Sequence, residues 1–108
     1  MDTFDLQAPV PGRLLALAGR LDVHVAADAR LELAQAVDEG EGDLVLDLTA
    51  LEAVDPTGLG VLVGAHRRAG RNGRTLVLRD TPPALGRLLR RTRLDRVLRQ
   101  TTSEGAYT

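Results

Sequence analysis

The apolar and polar positions of the chain divide it into short apolar runs and longer amphipathic stretches. Phe4-Asp5-Leu6-Gln7 alternates with the period of a half-buried strand, and residues 13–18 form an apolar run, so both predict strands. Ala8-Pro9-Val10-Pro11-Gly12 between them has turn composition, which makes the pair a hairpin. Gly19-Arg20-Leu21-Asp22 predicts the end of the second strand. Residues 24–39 then predict a helix, with Ala26, Ala29, Leu33 and Val37 on one face and Asp28, Glu32, Gln35 and Glu39 on the other. Asp22 or His24 lies near its start, and Gly40 ends it.

The middle of the chain carries the clearest pattern. Residues 44–48 are apolar apart from Asp47, as a central strand covered on both faces would be. Residues 49–54 predict a polar turn, and a helix follows over 56–69. Asp55 suits the cap, where its carboxylate accepts from free N–H groups of the first turn. Pro56 suits the first helical position, which needs no N–H. Thr57 puts a hydroxyl at the positive end of the helix dipole. Leu59, Val61, Leu62, Val63 and Ala65 make this helix apolar nearly all round, so it is expected to be buried with its first turn at the surface. Gly58, Gly60 and Gly64 predict close packing against a neighbour.

Residues 70–73 end the helix and 75–78 form the next strand, a strand–helix–strand unit that implies a parallel pair. Pro82-Pro83 opens a third helix to Arg91, with Leu85, Leu88 and Leu89 inward and Arg87, Arg90 and Arg91 outward. Gly86 inside it costs about 1 kcal/mol against alanine, so this helix leans on its packing. Leu94, Val97 and Leu98 predict a short edge strand or a last turn, and residues 101–108 a frayed polar tail. The result is an α/β fold in one domain over 1–108: a mixed sheet of four to five strands, with an N-terminal hairpin, parallel strands and helices packed against it.

Aromatic residues are 2% of the chain against 44% hydrophobic residues in all, so the core must be built from Leu, Val and Ala. Without cysteine there is neither a disulfide framework nor thiol chemistry. The acidic start Met1-Asp2-Thr3-Phe4-Asp5 lacks a signal-peptide pattern, and no apolar run is long enough to span a membrane. Net charge is −1, but residues 1–55 hold 12 acids and 3 arginines while residues 56–108 hold 11 arginines and 3 acids. Either the surface is electrically two-sided and steers a partner, or the two halves interleave and pair.

Four stretches in order carry a family resemblance: Gly19-Arg20-Leu21-Asp22, the run 44–48 followed by Asp55-Pro56-Thr57-Gly58-Leu59-Gly60-Val61, Asn72-Gly73-Arg74-Thr75-Leu76-Val77-Leu78, and Leu85 to Leu98 with Arg93-Leu94-Asp95. Together they resemble the STAS domain, the fold of the anti-sigma factor antagonists, over residues 4–100. The resemblance implies a cytoplasmic, non-enzymatic protein that binds an anti-sigma factor of the serine kinase type and so frees a sigma factor for transcription. It assigns partner contact to Asp22 and to Asp55, Pro56, Thr57 and Gly58. In that family the partner phosphorylates the residue directly after the aspartate. Here that residue is Pro56, which has no hydroxyl. Thr57 is the only hydroxyl left in the turn, and three roles stay open for it: a bond back into the first helical turn, a binding contact, or a shifted phosphoacceptor. The same fold also serves as an adaptor subunit in transport or stress-sensing assemblies.

Other chemistry finds little footing. The chain has no lysine for a phosphate loop, no Gly-x-Ser-x-Gly and no His-Glu-x-x-His. His24 and His66 do not have zinc-ligand spacing, and no metal or cofactor is expected. Asp38/Glu39 and Glu41/Asp43 read as a solvated loop run. Arg87, Arg90, Arg91 and Arg93 make a basic face, but base-stacking rings are missing and the first half is acidic, which argues against nucleic acid.

Overall fold

The computed structural model describes residues 4–103. Met1-Asp2-Thr3 and the part of the expected frayed tail beyond residue 103 lie outside the described residues. The element order is β1 (Phe4–Val10), β2 (Leu14–Leu21), α1 (Ala26–Glu39), β3 (Leu44–Val54), α2 (Pro56–Arg71), β4 (Leu76–Arg79), α3 (Pro83–Arg91), a 3₁₀ turn (Leu94–Arg96) and β5 (Arg99–Thr101). The five strands lie in sequence order, β1-β2 antiparallel and the remaining pairs parallel. Each crossover steps the same way along the sheet, so the right-handed rule puts all three helices over one face.

Register and burial agree on which face that is. Leu15, Leu17, Leu44, Leu46, Leu48, Leu76 and Leu78 are buried in one core with Leu33, Val37, Leu62, Leu85 and Leu89 of the helices. Their strand neighbours Leu14, Ala16, Ala18, Val45 and Asp47 are half-exposed on the other face. The sheet is thus covered on one side, not both.

Three expected breaks are absent. β1 runs on to Val10, because Pro9 sits on an edge strand where a missing N–H costs no ladder bond, and the turn is confined to residues 11–13. β2 continues through Gly19-Arg20 to Leu21. Residues 49–54 are strand, not turn. They look polar in period two because β3 carries two extra residues against β2: Ala16 and Ala18 pair with Asp47 and Ala50, and Gly19 and Arg20 with Leu51 and Ala53. The first bulge is held by Asp47, whose Oδ1 accepts from the Thr49 amide at 3.0 Å and the Thr49 hydroxyl at 2.6 Å. It lets Leu48 and Leu51, three apart, both face the core. At the far end Leu94–Arg96 form a 3₁₀ turn, and the edge strand lies just beyond Leu98 at Arg99–Thr101, so Thr101, expected in the frayed tail, pairs with Arg79.

α1 starts at Ala26 with no side-chain cap, two residues later than its periodicity suggested. Its last turn holds no basic residue, yet its C-terminus is not bare. Arg74, 5% exposed, reaches it from beyond α2. Its Nη1 donates to the carbonyls of Ala36 (3.1 Å) and Val37 (2.8 Å), its Nε to Gly42 (2.9 Å) and its Nη2 to Gly12. The guanidinium therefore neutralises the negative end of the α1 dipole and ties α1 to the β1–β2 turn. Between α1 and α2, Asp38 accepts from Arg68 Nε at 3.0 Å and Nη2 at 2.6 Å, with Asn72 also donating to it at 3.3 Å.

Two outcomes follow for stability. Arg74→Met leaves buried carbonyls unpaired and is expected to cost about 3 kcal/mol in urea unfolding, with Arg74→Lys recovering less than half, because an ammonium cannot reach three segments at once. The Asp38 carboxyl is held below its ordinary value of 3.8, first by the Arg68 hydrogen bond and, against the opposing effect of desolvation, by that arginine's charge. A depressed folded value means its contribution is complete at neutral pH and is lost as pH falls through the acid range below about 4. The urea midpoint of the wild type should drop between about pH 6 and about pH 3 more steeply than that of Asp38→Asn.

Candidate functional site

The end of β3 delivers the chain to the start of α2 beside the turn that leaves β2. Asp55 joins the two. Its Oδ1 accepts from the Gly58 amide at 2.7 Å, the expected cap, and its Oδ2 accepts from the Val23 amide at 3.0 Å, a bond 32 residues away in sequence. The Asp55 amide itself donates to the Leu21 carbonyl at 3.2 Å. One carboxylate thereby closes the first turn of α2 and holds the β2–α1 turn against it.

Gly58 is fixed by the same approach. A Cβ there would lie 2.1 Å from the Leu21 carbonyl oxygen, so only glycine fits. The expectation of close packing holds at Gly58 and fails at Gly60 and Gly64, whose added Cβ atoms would meet nothing within 4 Å. Both are exposed and Val63 is only half-buried, so α2 is amphipathic rather than apolar all round.

Asp22 sits across from the cap. Its Oδ1 accepts from the His24 amide at 2.9 Å, and its Oδ2 lies 3.9 Å from Arg20 Nε. Pro56 and Thr57 are exposed at the tip. The five residues singled out in the sequence therefore form one corner, with Asp55 half-buried and Gly58 buried beneath it. The Thr57 hydroxyl makes no bond back into the helix, which removes one of its three roles. Nor is the helix start an open anion site. Pro56 has no N–H, Gly58 donates to the Asp55 side chain and Leu59 to the Asp55 carbonyl at 2.9 Å, leaving the Thr57 amide alone.

Among the described residues no group of three His, Cys, Asp or Glu could hold a metal ion, and no helix is long and apolar enough to cross a membrane. The two charge-segregated halves interleave, since Asp38 pairs with Arg68 and Asp47 with Arg79 at 3.3 Å. The Arg87, Arg90, Arg91 and Arg93 face is exposed and takes no part in those pairs. What the sequence did not reveal is the tertiary half of the Asp55 bond. The Asp55–Gly58 spacing signals the cap, but nothing local signals Val23.

Residues 5–100 match the family described as "Mlab, STAS domain". The chain is 30% identical over 77 residues to an "Anti-sigma F factor antagonist" of Paenibacillus polymyxa, a stretch covering 70% of this chain and 66% of that relative's length. A putative anti-sigma factor antagonist from Thermotoga maritima superposes with a TM-score of 0.76 at 21% identity, over 96% of this chain and 91% of the other. The Bacillus cell fate determinant SpoIIAA in its phosphorylated form gives 0.67 at 21% identity, over 97% and 96%. At such identities these two structures speak for the fold alone, while the family match and the Paenibacillus relative speak for kinship. A five-stranded mixed sheet with three crossover helices, and an aspartate-capped α2 at its exposed corner, belong to a member of the STAS domain family.

Proposed function

We propose that this chain is an anti-sigma factor antagonist. It docks on its anti-sigma factor through the corner formed by Asp22, Asp55, Pro56, Thr57 and Gly58, and so frees a sigma factor. The observation that carries the reading is the Asp55 carboxylate, bonded to both Gly58 and Val23, which presents two turns as one preformed surface. A preformed surface spares the ordering cost that a loose loop would incur on binding. The kinship with the Paenibacillus antagonist supports the class of partner. The chain works by contact and not by catalysis.

Pro56 sets how the contact is regulated. A phosphoryl group cannot be placed on proline, so release by modification of the residue after the aspartate is lost in this chain. Thr57, exposed and with a free hydroxyl, serves as a contact residue at the centre of the corner.

Thr57→Glu should weaken binding to the chain's own anti-sigma factor by at least about tenfold in titration calorimetry, because a buried carboxylate without a partner opposes docking. Gln100→Glu, on β5, should leave it unchanged; equal affinity of both variants would count against this corner. Incubated with the same anti-sigma factor and ATP, the chain should keep its intact mass. A phosphoryl gain mapped to Thr57 would instead make that residue a displaced switch.

A further inference from the structure

α1 and α2 run side by side in parallel. Val23 touches Asp55 at one end and Asp38 holds Arg68 at the other. Between these ties lies a groove of about 220 Å³ lined by Arg30, Leu33, Ala34, Val61, Gly64 and Arg71, among others. Its floor is apolar. Along α2, Thr57, Gly64 and Arg71 recur at seven-residue intervals, so the groove leads straight from the docking corner down the helix. The backbone is bare at Gly60 and Gly64. On the outer face of α1 stands Leu31, 71% exposed, two turns before Asp38. Val23, whose amide bonds Asp55 at the corner, is 60% exposed.

The unpaired charges that line it have one sign. Arg68 is taken by Asp38, but Arg30 and Arg71, which line the groove, and Arg67, exposed on α2 three residues after Gly64, have neither an ion pair nor a side-chain hydrogen bond among the described residues. Of the other α1 carboxylates, Glu32 and Glu39 lie on the side of the helix toward β1, while Asp28 stands one turn before Leu31.

We infer that this groove binds an acidic amphipathic helix of the partner protein. The occupant lays its apolar stripe on Leu31, Ala34 and the open glycines and its Asp or Glu side chains against Arg30, Arg67 and Arg71. A helix fits because two parallel helices present ridges and a groove and no free strand edge, and because bare glycine backbone lets a third helix approach closely. From Thr57 to Arg71 the track is about 21 Å long, which takes about four turns of helix. The inference rests on the docking reading for the side from which the partner approaches, but the chemistry of the groove is its own.

The test is a titration of the isotopically labelled full chain, followed by amide NMR shifts, with an amidated helical peptide of about 18 residues that carries a leucine stripe flanked by glutamates. Shifts should gather at Leu31, Ala34, Val61 and Gly64. A peptide with lysine for every glutamate, and the chain carrying Arg30→Glu and Arg71→Glu, should each bind at least about tenfold more weakly. Gly64→Leu, whose side chain enters open space and leaves the fold intact, should block binding. Absence of shifts with the glutamate peptide, equal response to both peptides, or shifts outside the groove would overturn the inference. The Thr57→Glu titration addresses the corner separately, so either surface can fail without the other.

Discussion

The bond that the proposed docking corner depends on is the second one made by Asp55. A capping carboxylate has two oxygens, and an ordinary cap uses one. Here the other oxygen reaches the Val23 amide and turns a helix start into a joint between distant segments. The Asp55 amide and Gly58 complete the joint against the Leu21 carbonyl, one by donating to it and the other by having no side chain to collide with it. The geometry of Asp22, Pro56 and Thr57 follows from that joint, because none of the three is held by packing.

The sheet makes the joint possible by a small irregularity. Two extra residues in β3 lengthen it relative to β2, so that its end and the end of β2 arrive level, with Leu21 paired to Val54. Asp47 stabilises the first of these bulges through Thr49 and reaches Arg79 on the neighbouring strand. Aspartate in the middle of a central strand would be costly if both faces were covered. Because helices cover only one face, its charge stays half in water.

How much was legible depended on the range of the interaction. The helices, the parallel unit and the Asp55–Gly58 cap are local patterns, and all of them are present. Residues 49–54 misled because a bulge breaks the alternation on which strand reading relies. Gly60 and Gly64 misled because small residues mark close packing only when something is there to pack. Arg74 was passed over because, in sequence, it is one polar residue before an apolar run. Its burial is explained by carbonyls of Gly12, Ala36, Val37 and Gly42, none of them close in sequence. Val23 was silent for the same reason.

Arg74 also bears on the order in which the chain acquires its shape during synthesis. The α1 carbonyls it covers are made 37 and 38 residues before it, so until residue 74 has been added they lack this donor. Until the chain has been made past residue 74, the N-terminal half therefore lacks the tie that joins the end of α1 to the β1–β2 turn.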